Sequence, residues 1–324
     1  MPLKRFFILL ILIALLLPAA VQAKSYLIVL ENRDNSLRVS GGYPSPAEAV
    51  SRIRGEFNAK VQLTAVQTDT RPNPVSKYVT SGFDLIIGAG AKVSETTYNS
   101  AFNNKYQQYA LVDIWRGNIG DNAIGFAFSY AEAGYLAGFI AAKTSQTGVI
   151  GFIGGERLPQ LRDFTRGYRD GAHYANPDIK IRSVYLGDFF DAYAARSKAD
   201  EMYLGGADVV CQLAGPGGQG VVESAQNNGK WCINVETAKN RLPKNVLAAI
   251  VLNYDLAIYE ACRIVEAKEF SGGRSQLFNM ANEGIYANFA SGMPAPVKKD
   301  VRQMLRDIID GKVLVRNYDS RVIN

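Results

Sequence analysis

Histidine occurs once in the 324 residues, as His173, and tryptophan only twice. With a single histidine and no G-x-S-x-G turn, a Ser-His-Asp hydrolase lacks its parts. There is also no H-E-x-x-H helix and no Walker A loop, so the usual routes to zinc proteolysis and P-loop phosphate chemistry are absent. The three cysteines, Cys211, Cys232 and Cys262, form no C-x-x-C pair and have no histidine nearby. That spacing does not make a zinc site. Excess charge is missing too: 36 Lys and Arg stand against 30 Asp and Glu, a net of +6. No basic run or helix face is dense enough to track phosphates, so nucleic acid is not an expected partner. No unit of 20–50 residues repeats, which excludes solenoids and propellers. Beyond the N-terminus no apolar run is long enough to cross a bilayer, which excludes a polytopic membrane protein.

The N-terminus is the exception. Lys4 and Arg5 precede the apolar stretch 6–17, then Pro18, then Val21-Gln22-Ala23, with small residues where a signal peptidase reads. This is the pattern of a cleavable secretory signal over residues 1–23. A single membrane anchor is the competing reading, but the stretch falls short of the ~20 apolar residues that span a bilayer. Removing Lys4 and Arg5 lowers the net charge to +4. No cysteine precedes Cys211, so there is no lipobox, and a free periplasmic location is expected in a two-membrane cell. In that compartment two readings of Cys211 and Cys232 stay open: a disulfide between successive strands, or buried thiols.

With 48% hydrophobic and 20% charged residues the chain is an ordinary globular one, and its length suggests two domains. Short β-branched runs alternate with helical patterns. Strands are expected at 26–31, 60–67, 84–89 and 109–115, with helices at 47–57, 74–81 and 94–106. The pattern restarts with helix 130–144. Strands 148–154, 180–186, 208–214, 231–236 and 246–252 follow, with helices 160–175, 192–204, 219–228 and 255–268 between or after them. Segment 296–310 is amphipathic: Val297, Val301, Met304, Leu305 and Ile308 share one helical face. Alternating strands and helices imply parallel sheets covered on both faces, here in two α/β lobes. In such sheets ligands bind beyond the carboxyl ends of the strands.

Residues directly after strands are therefore the candidates. Segment 215–220 (GPGGQG) matches G-x-G-x-x-G between a strand and a helix, with Glu236 ending the next strand. Three readings stand: a dinucleotide fingerprint, a glycine turn against some other ligand, or a turn that is simply tight. The late position and the export signal argue against the first. Trp115 closes one strand, and Phe189 and Phe190 follow another, which suits stacking on a ring-shaped ligand as well as ordinary packing. His173 lies in a helix with no nucleophile beside it, the usual setting of a structural histidine.

Segment 151–171 reads GFIGGERLPQLRDFTRGYRDG. It resembles the GFIGG…P…F..G(F/Y)..G segment of the basic membrane protein family, the PnrA-like substrate-binding proteins of ABC importers. AFSYAEAGYLAGFIAAKTSQTG, GGADVVCQLAGPGGQGV and NYDLAIYEA resemble further family blocks in the same order. The resemblance runs from about residue 84 to 315. It implies a type I periplasmic-binding-protein fold whose two lobes close about a hinge with three crossings. It also implies a nucleoside or another ring ligand such as riboflavin, and an ABC permease in the inner membrane as partner. The chain departs from the family pattern at four places. ENRDNSLRVSGGYP replaces the N-D-x-S-F-N stretch, losing its Phe and keeping Asp34; Val222 stands where a second aromatic is expected after GQGV. Glu236 takes the place of the acid that reads the base, and Leu252 that of a Lys. Tyr43, Trp115, Phe189 and Phe190 are the aromatics that could rebuild the slot.

The sequence thus leads to an α/β, two-lobed type I periplasmic-binding-protein fold, each lobe a parallel sheet flanked by helices. The first lobe is expected to hold residues 24–118 plus about 238–280, the second 119–237 plus about 281–324. The expected ligand contacts are Asn32, Asp34, Trp115, Phe189, Gly217, Gly218 and Glu236. Glu236 would accept a hydrogen bond, and the glycine turn would donate backbone N–H groups. No catalytic residue, metal or cofactor is expected, and the chain is expected to be monomeric. The alternatives are an exported dinucleotide-dependent oxidoreductase and a sensory binding protein that docks a receptor.

Overall fold

The computed structural model describes residues 22–31, 46–68, 71–114, 116–235 and 242–316. The chain begins with β1 (Ser25–Glu31), α1 (Ala47–Phe57), β2 (Lys60–Val66), β3 (Leu85–Ala89), α2 (Ala91–Asn103), β4 (Tyr109–Val112) and β5 (Ala123–Phe128). Then come α3 (Tyr130–Thr144), β6 (Val149–Gly154), α4 (Pro159–Ala175), β7 (Lys180–Tyr185), α5 (Ala192–Leu204), β8 (Val209–Leu213), α6 (Gln219–Asn227) and β9 (Trp231–Val235). The last part holds β10 (Val246–Leu252), α7 (Tyr254–Glu266), β11 (Arg274–Phe278), β12 (Ile285–Phe289) and α8 (Ala295–Ile309).

The strands form two six-stranded sheets, ordered β11-β5-β4-β3-β1-β2 and β12-β10-β9-β8-β6-β7. Among the described residues all pairings are parallel except β10 with β12, which is antiparallel. Central strands such as LIIGA in β3 are buried throughout, as expected of a sheet covered on both faces. In the second sheet Cys211 and Cys232 belong to different cores on opposite faces. They cannot meet, and all three cysteines are free and buried. Burial pushes the Cys232 thiol up to about 12 and that of Cys211 well above its usual value, so these thiols are inert.

Three short connections join the sheets: β5 to α3, β10 to α7, and β11 to β12. The lobe boundaries therefore differ from those expected. The expected boundaries put residues 123–128 in the second lobe, yet β5 extends the first sheet; they put 246–252 in the first lobe, yet β10 lies inside the second sheet. The reason is that each strand hands over to the opposite lobe only after it has paired. β5, β11 and β12 had no counterpart in the strand pattern. β5 is rich in Gly and Ala, and the other two are half-buried edge strands with polar residues. The helix expected at 74–81 is only a 3₁₀ turn at Ser76–Tyr78.

Segment 151–171 proves to be architectural. Helices α3 and α4 lie side by side and parallel on the second sheet. A Cβ added at Gly134 or Gly138 would sit 2.0 Å or 1.9 Å from the carbonyl oxygens of Phe164 and Tyr168. Gly167 and Gly171 return the contact, each 2.0 Å from a carbonyl of α3. Only glycine lets two backbones approach this closely. Phe152 on β6 then stacks on Phe164, with ring centroids 5.3 Å apart. Pro159 opens α4 at a position where no N–H is needed.

Candidate functional site

The carboxyl ends of the two sheets face each other across a cleft. Glu31 at the end of β1, Gly90, Ala91 and Lys92 at the head of α2, and Asp113 after β4 form one wall. Leu158, Gln160 and Leu161 at the head of α4, Phe189 and Phe190 after β7, and Gly215 after β8 form the other. Tyr130 and Tyr254 line its base. Each of these tyrosines is the first residue of a helix that follows a crossing, α3 and α7 respectively.

The base is tied together at Asp113. This residue is buried and holds a left-handed backbone, φ 71°, which ends β4 three residues before the expected strand end. Its Oδ2 accepts hydrogen bonds from the hydroxyls of Tyr130 and Tyr254, both at 2.8 Å. The helices that carry the tyrosines are capped by Ser129 and Asn253, whose side chains accept from the amides of Glu132 and Leu256, satisfying backbone donors that the helix leaves open. The third crossing joins this cluster: the Ser129 amide donates to the Phe278 carbonyl at 2.8 Å. The Met280 amide donates to the buried Glu132 carboxylate at 2.7 Å. Burial raises the Glu132 pKa, and the Met280 N–H opposes that rise. The rings of Phe128, Tyr254 and Phe278 pack around the same point.

At the mouth, the Lys92 ammonium on the first wall lies 2.7 Å from the Glu156 carboxylate on the second. The two lobes are thus bridged at the mouth as well as at the base. Glu31 accepts a hydrogen bond from Thr68 at 3.0 Å.

The second wall is built from three neighbouring strand ends. The Phe189 ring lies against Gly155, where an added Cβ would fall 2.3 Å from it. The Phe189 carbonyl accepts from the Gly217 amide at 2.8 Å. Gly218 is backed by Gln212, whose side-chain oxygen would lie 2.1 Å from a Cβ there. Of the expected contacts, Phe189 faces the cleft, whereas Gly217 and Gly218 sit behind its wall and Gly215 lines it instead. The expected donation from Gly217 fails because its N–H is already used inside the loop. For the same reason the turn cannot offer that amide to a pyrophosphate. Asn32, Asp34, Trp115 and Glu236, with Tyr43, lie outside the described residues. Val222 and Leu252 are buried in the second lobe.

His173 is exposed in the last turn of α4, at the end away from the cleft. Among the described residues no group of three His, Cys, Asp or Glu is placed to hold a metal. Sequence reasoning missed Lys92, Asp113, Tyr130, Gln160 and Tyr254. All but Gln160, which sits at the head of α4, lie within three residues of a strand end, which was the available signal. Asp113 escaped because YALVDIW reads as one unbroken strand.

A sequence model of the family described as "ABC transporter substrate-binding protein PnrA-like" matches residues 35–312. Basic membrane protein A of Borreliella afzelii is 31% identical, over 84% of this chain and 86% of its own. The ABC transporter nucleoside-binding protein BmpA of Lactococcus lactis is also 31% identical, over 75% of this chain and 76% of its own. Among solved structures, a solute-binding protein of an Aeropyrum pernix ABC transporter system aligns with a TM-score of 0.75 at 20% identity, covering 92% of this chain and 95% of that one. One from Conexibacter woesei aligns at 0.74 and 22%, covering 91% and 99%. These likenesses show the two-lobed type I periplasmic-binding-protein fold. The chain belongs to the PnrA-like family of ABC transporter substrate-binding proteins.

Proposed function

We propose that the mature chain is a periplasmic receptor that captures a nucleoside or a similar ring-bearing solute between its lobes and presents it to an inner-membrane permease. The observation that carries this reading is the contrast inside the cleft. One wall offers the Phe189 ring and leucines 158 and 161, the other the charged groups of Glu31, Lys92 and Asp113. A nucleoside has the same two-sidedness, with an apolar ring face and a hydroxylated sugar. The Lactococcus relative, described as nucleoside-binding, supports the same class. Asn32 and Asp34 directly follow β1, Trp115 lies two residues past Asp113, and Glu236 directly follows β9, so we assign them to complete the contacts. Function here is capture by hinge closure, with no covalent step.

The test is a thermal-shift and calorimetry panel on the protein processed to Lys24, using adenosine, inosine, uridine, riboflavin and galactose. A ligand at 100 times its Kd stabilises the bound state by about 2.7 kcal/mol, which is readily seen as a rise in Tm. A shift with nucleosides alone is the expected result. A shift confined to galactose, or turnover of a nicotinamide dinucleotide, overturns the reading. Cell fractionation with N-terminal sequencing checks the location: the expected product starts at Lys24 in the periplasmic fraction.

A further inference from the structure

Below Glu156 at the mouth, the side chains that the second wall presents to the cleft are apolar except for one carboxamide. Gln160 is the second residue of α4, is only 8% exposed, and lines the cleft beside Leu158, Leu161 and Phe189. Its side-chain oxygen is enclosed and accepts no hydrogen bond. Buried polar atoms in folded proteins are almost always paired, because an enclosed oxygen has given up water for nothing. The neighbours give no reason for a polar residue here, since leucines flank it on both sides of the helix start. Nor does Gln160 cap the helix: α4 begins without a side-chain cap. Gln160 lines the cleft, and a ligand seated there can supply the missing partner.

We propose that Gln160 is a specificity-determining ligand contact whose carboxamide reads the hydrogen-bonding edge of the ligand's heterocycle. A carboxamide presents one acceptor and one donor side by side. Its complement is a ring edge with an adjacent donor and acceptor, such as the C(=O)–NH edge of an oxopurine. The flanking Leu158, Leu161 and Phe189 supply the apolar seat for the ring, so the edge arrives without water. A site that pairs such a group rejects analogues lacking it, because its own polar atom is then left buried and unpaired. This inference rests on the nucleoside reading above and adds which residue reads the base.

The experiment compares inosine with purine riboside, which lacks the exocyclic oxygen and the ring N–H. Affinities are measured by calorimetry for wild type, Gln160→Leu and Gln160→Met. Met keeps the length of the side chain without its hydrogen bonds. In wild type, inosine is expected to bind at least about tenfold tighter than purine riboside, the scale of one net hydrogen bond. In both variants the inosine affinity falls by about that factor and the gap between the two ligands closes. The Tm of the ligand-free variants stays at or above that of wild type, because no protein partner is lost; a structural role would lower it. If the gap persists in both variants, another residue reads the edge and the assignment of Gln160 is overturned while the nucleoside reading stands. If wild type binds neither inosine, adenosine nor uridine, both fall together.

Discussion

The two walls of the cleft are built on different principles. The first-lobe wall is charged, and its central residue, Asp113, is tied by two tyrosines to the helices that follow two of the crossings. The second-lobe wall is mostly apolar below Glu156 at the mouth, and its Leu158–Leu161 segment rides on the head of α4, whose position is fixed by glycine contacts with α3. The first wall is tied within its own lobe by the Tyr254 hydrogen bond and to the second lobe by the Tyr130 one, so it can respond when the lobes move. The second is positioned by backbone contact within one lobe, so it is a rigid seat. A ring held on the rigid side and polar groups gathered from the hinge side would give closure a chemical trigger.

The comparison is broken most severely by removing the rigidity of the second wall. Gly171→Val places side-chain atoms where a Cβ alone would lie 2.0 Å from the Tyr135 carbonyl. Overpacking against backbone has no side chain to yield, so a loss of about 3 kcal/mol or more is expected, read as a lower urea midpoint. An unchanged midpoint would show that α3 and α4 do not pack through their backbones. Next in size is Phe189→Ala, which leaves the fold intact and removes the ring from the seat. By analogy with aromatic platforms that stack bases, binding of a nucleoside should weaken by about 1–3 kcal/mol, measured by calorimetry. A lowered Tm of the ligand-free variant would point to loop collapse over Gly155 instead of lost stacking.

The contrast also explains what was legible in the sequence. The alternation of strands and helices announced the parallel sheets, and the GFIGG…P…F..G segment announced the family. Yet Gly167, Gly171, Phe164 and Tyr168 in that segment serve the packing of α4, so the most recognisable text specifies scaffold. The wall residues escaped for a different reason. Asp113 and Tyr254 meet across 141 positions of sequence, and Lys92 and Glu156 across 64. Periodicity carries no information about which strand ends converge. The glycine turn was found, but its role was inverted: Gly217 spends its amide on Phe189 and so holds the aromatic in place. Pattern reveals an element when its residues answer to neighbours in sequence, and fails where they answer to a distant strand end or to the other lobe.

The hinge between the walls gives a prediction with a definite sign in pH. Burial raises the pKa of Glu132, and burial likewise raises that of Asp255, which accepts from the Ala49 amide. A carboxyl whose folded pKa lies above its unfolded one contributes most below the unfolded value, and that contribution is lost as pH rises through the folded value. Tm is therefore expected to fall from these groups as pH goes from mildly acidic to neutral. Glu132→Gln keeps an acceptor for the Met280 amide and removes the charge. It should raise Tm at neutral pH by a few degrees and flatten the slope, leaving the part due to Asp255. A steeper slope in this variant would mean that the Glu132 charge stabilises the third crossing.

The smallest effect tests whether the first wall touches ligand at its mouth. Lys92 and Glu156 face each other across the cleft with side chains 37% and 29% exposed. An ion pair this accessible contributes about 0–1 kcal/mol. If Lys92 acts only as a strut between lobes, Lys92→Ala should weaken nucleoside binding by at most about fivefold. Glu156→Ala should do the same, and the double variant should lose no more than either alone. The effect should fade in high salt, since exposed charges are screened. A loss above tenfold for Lys92→Ala that Glu156→Ala does not share would make Lys92 a direct ligand contact. The charged wall would then extend from the Asp113 hinge cluster to the mouth, and the ligand would span the full depth between them.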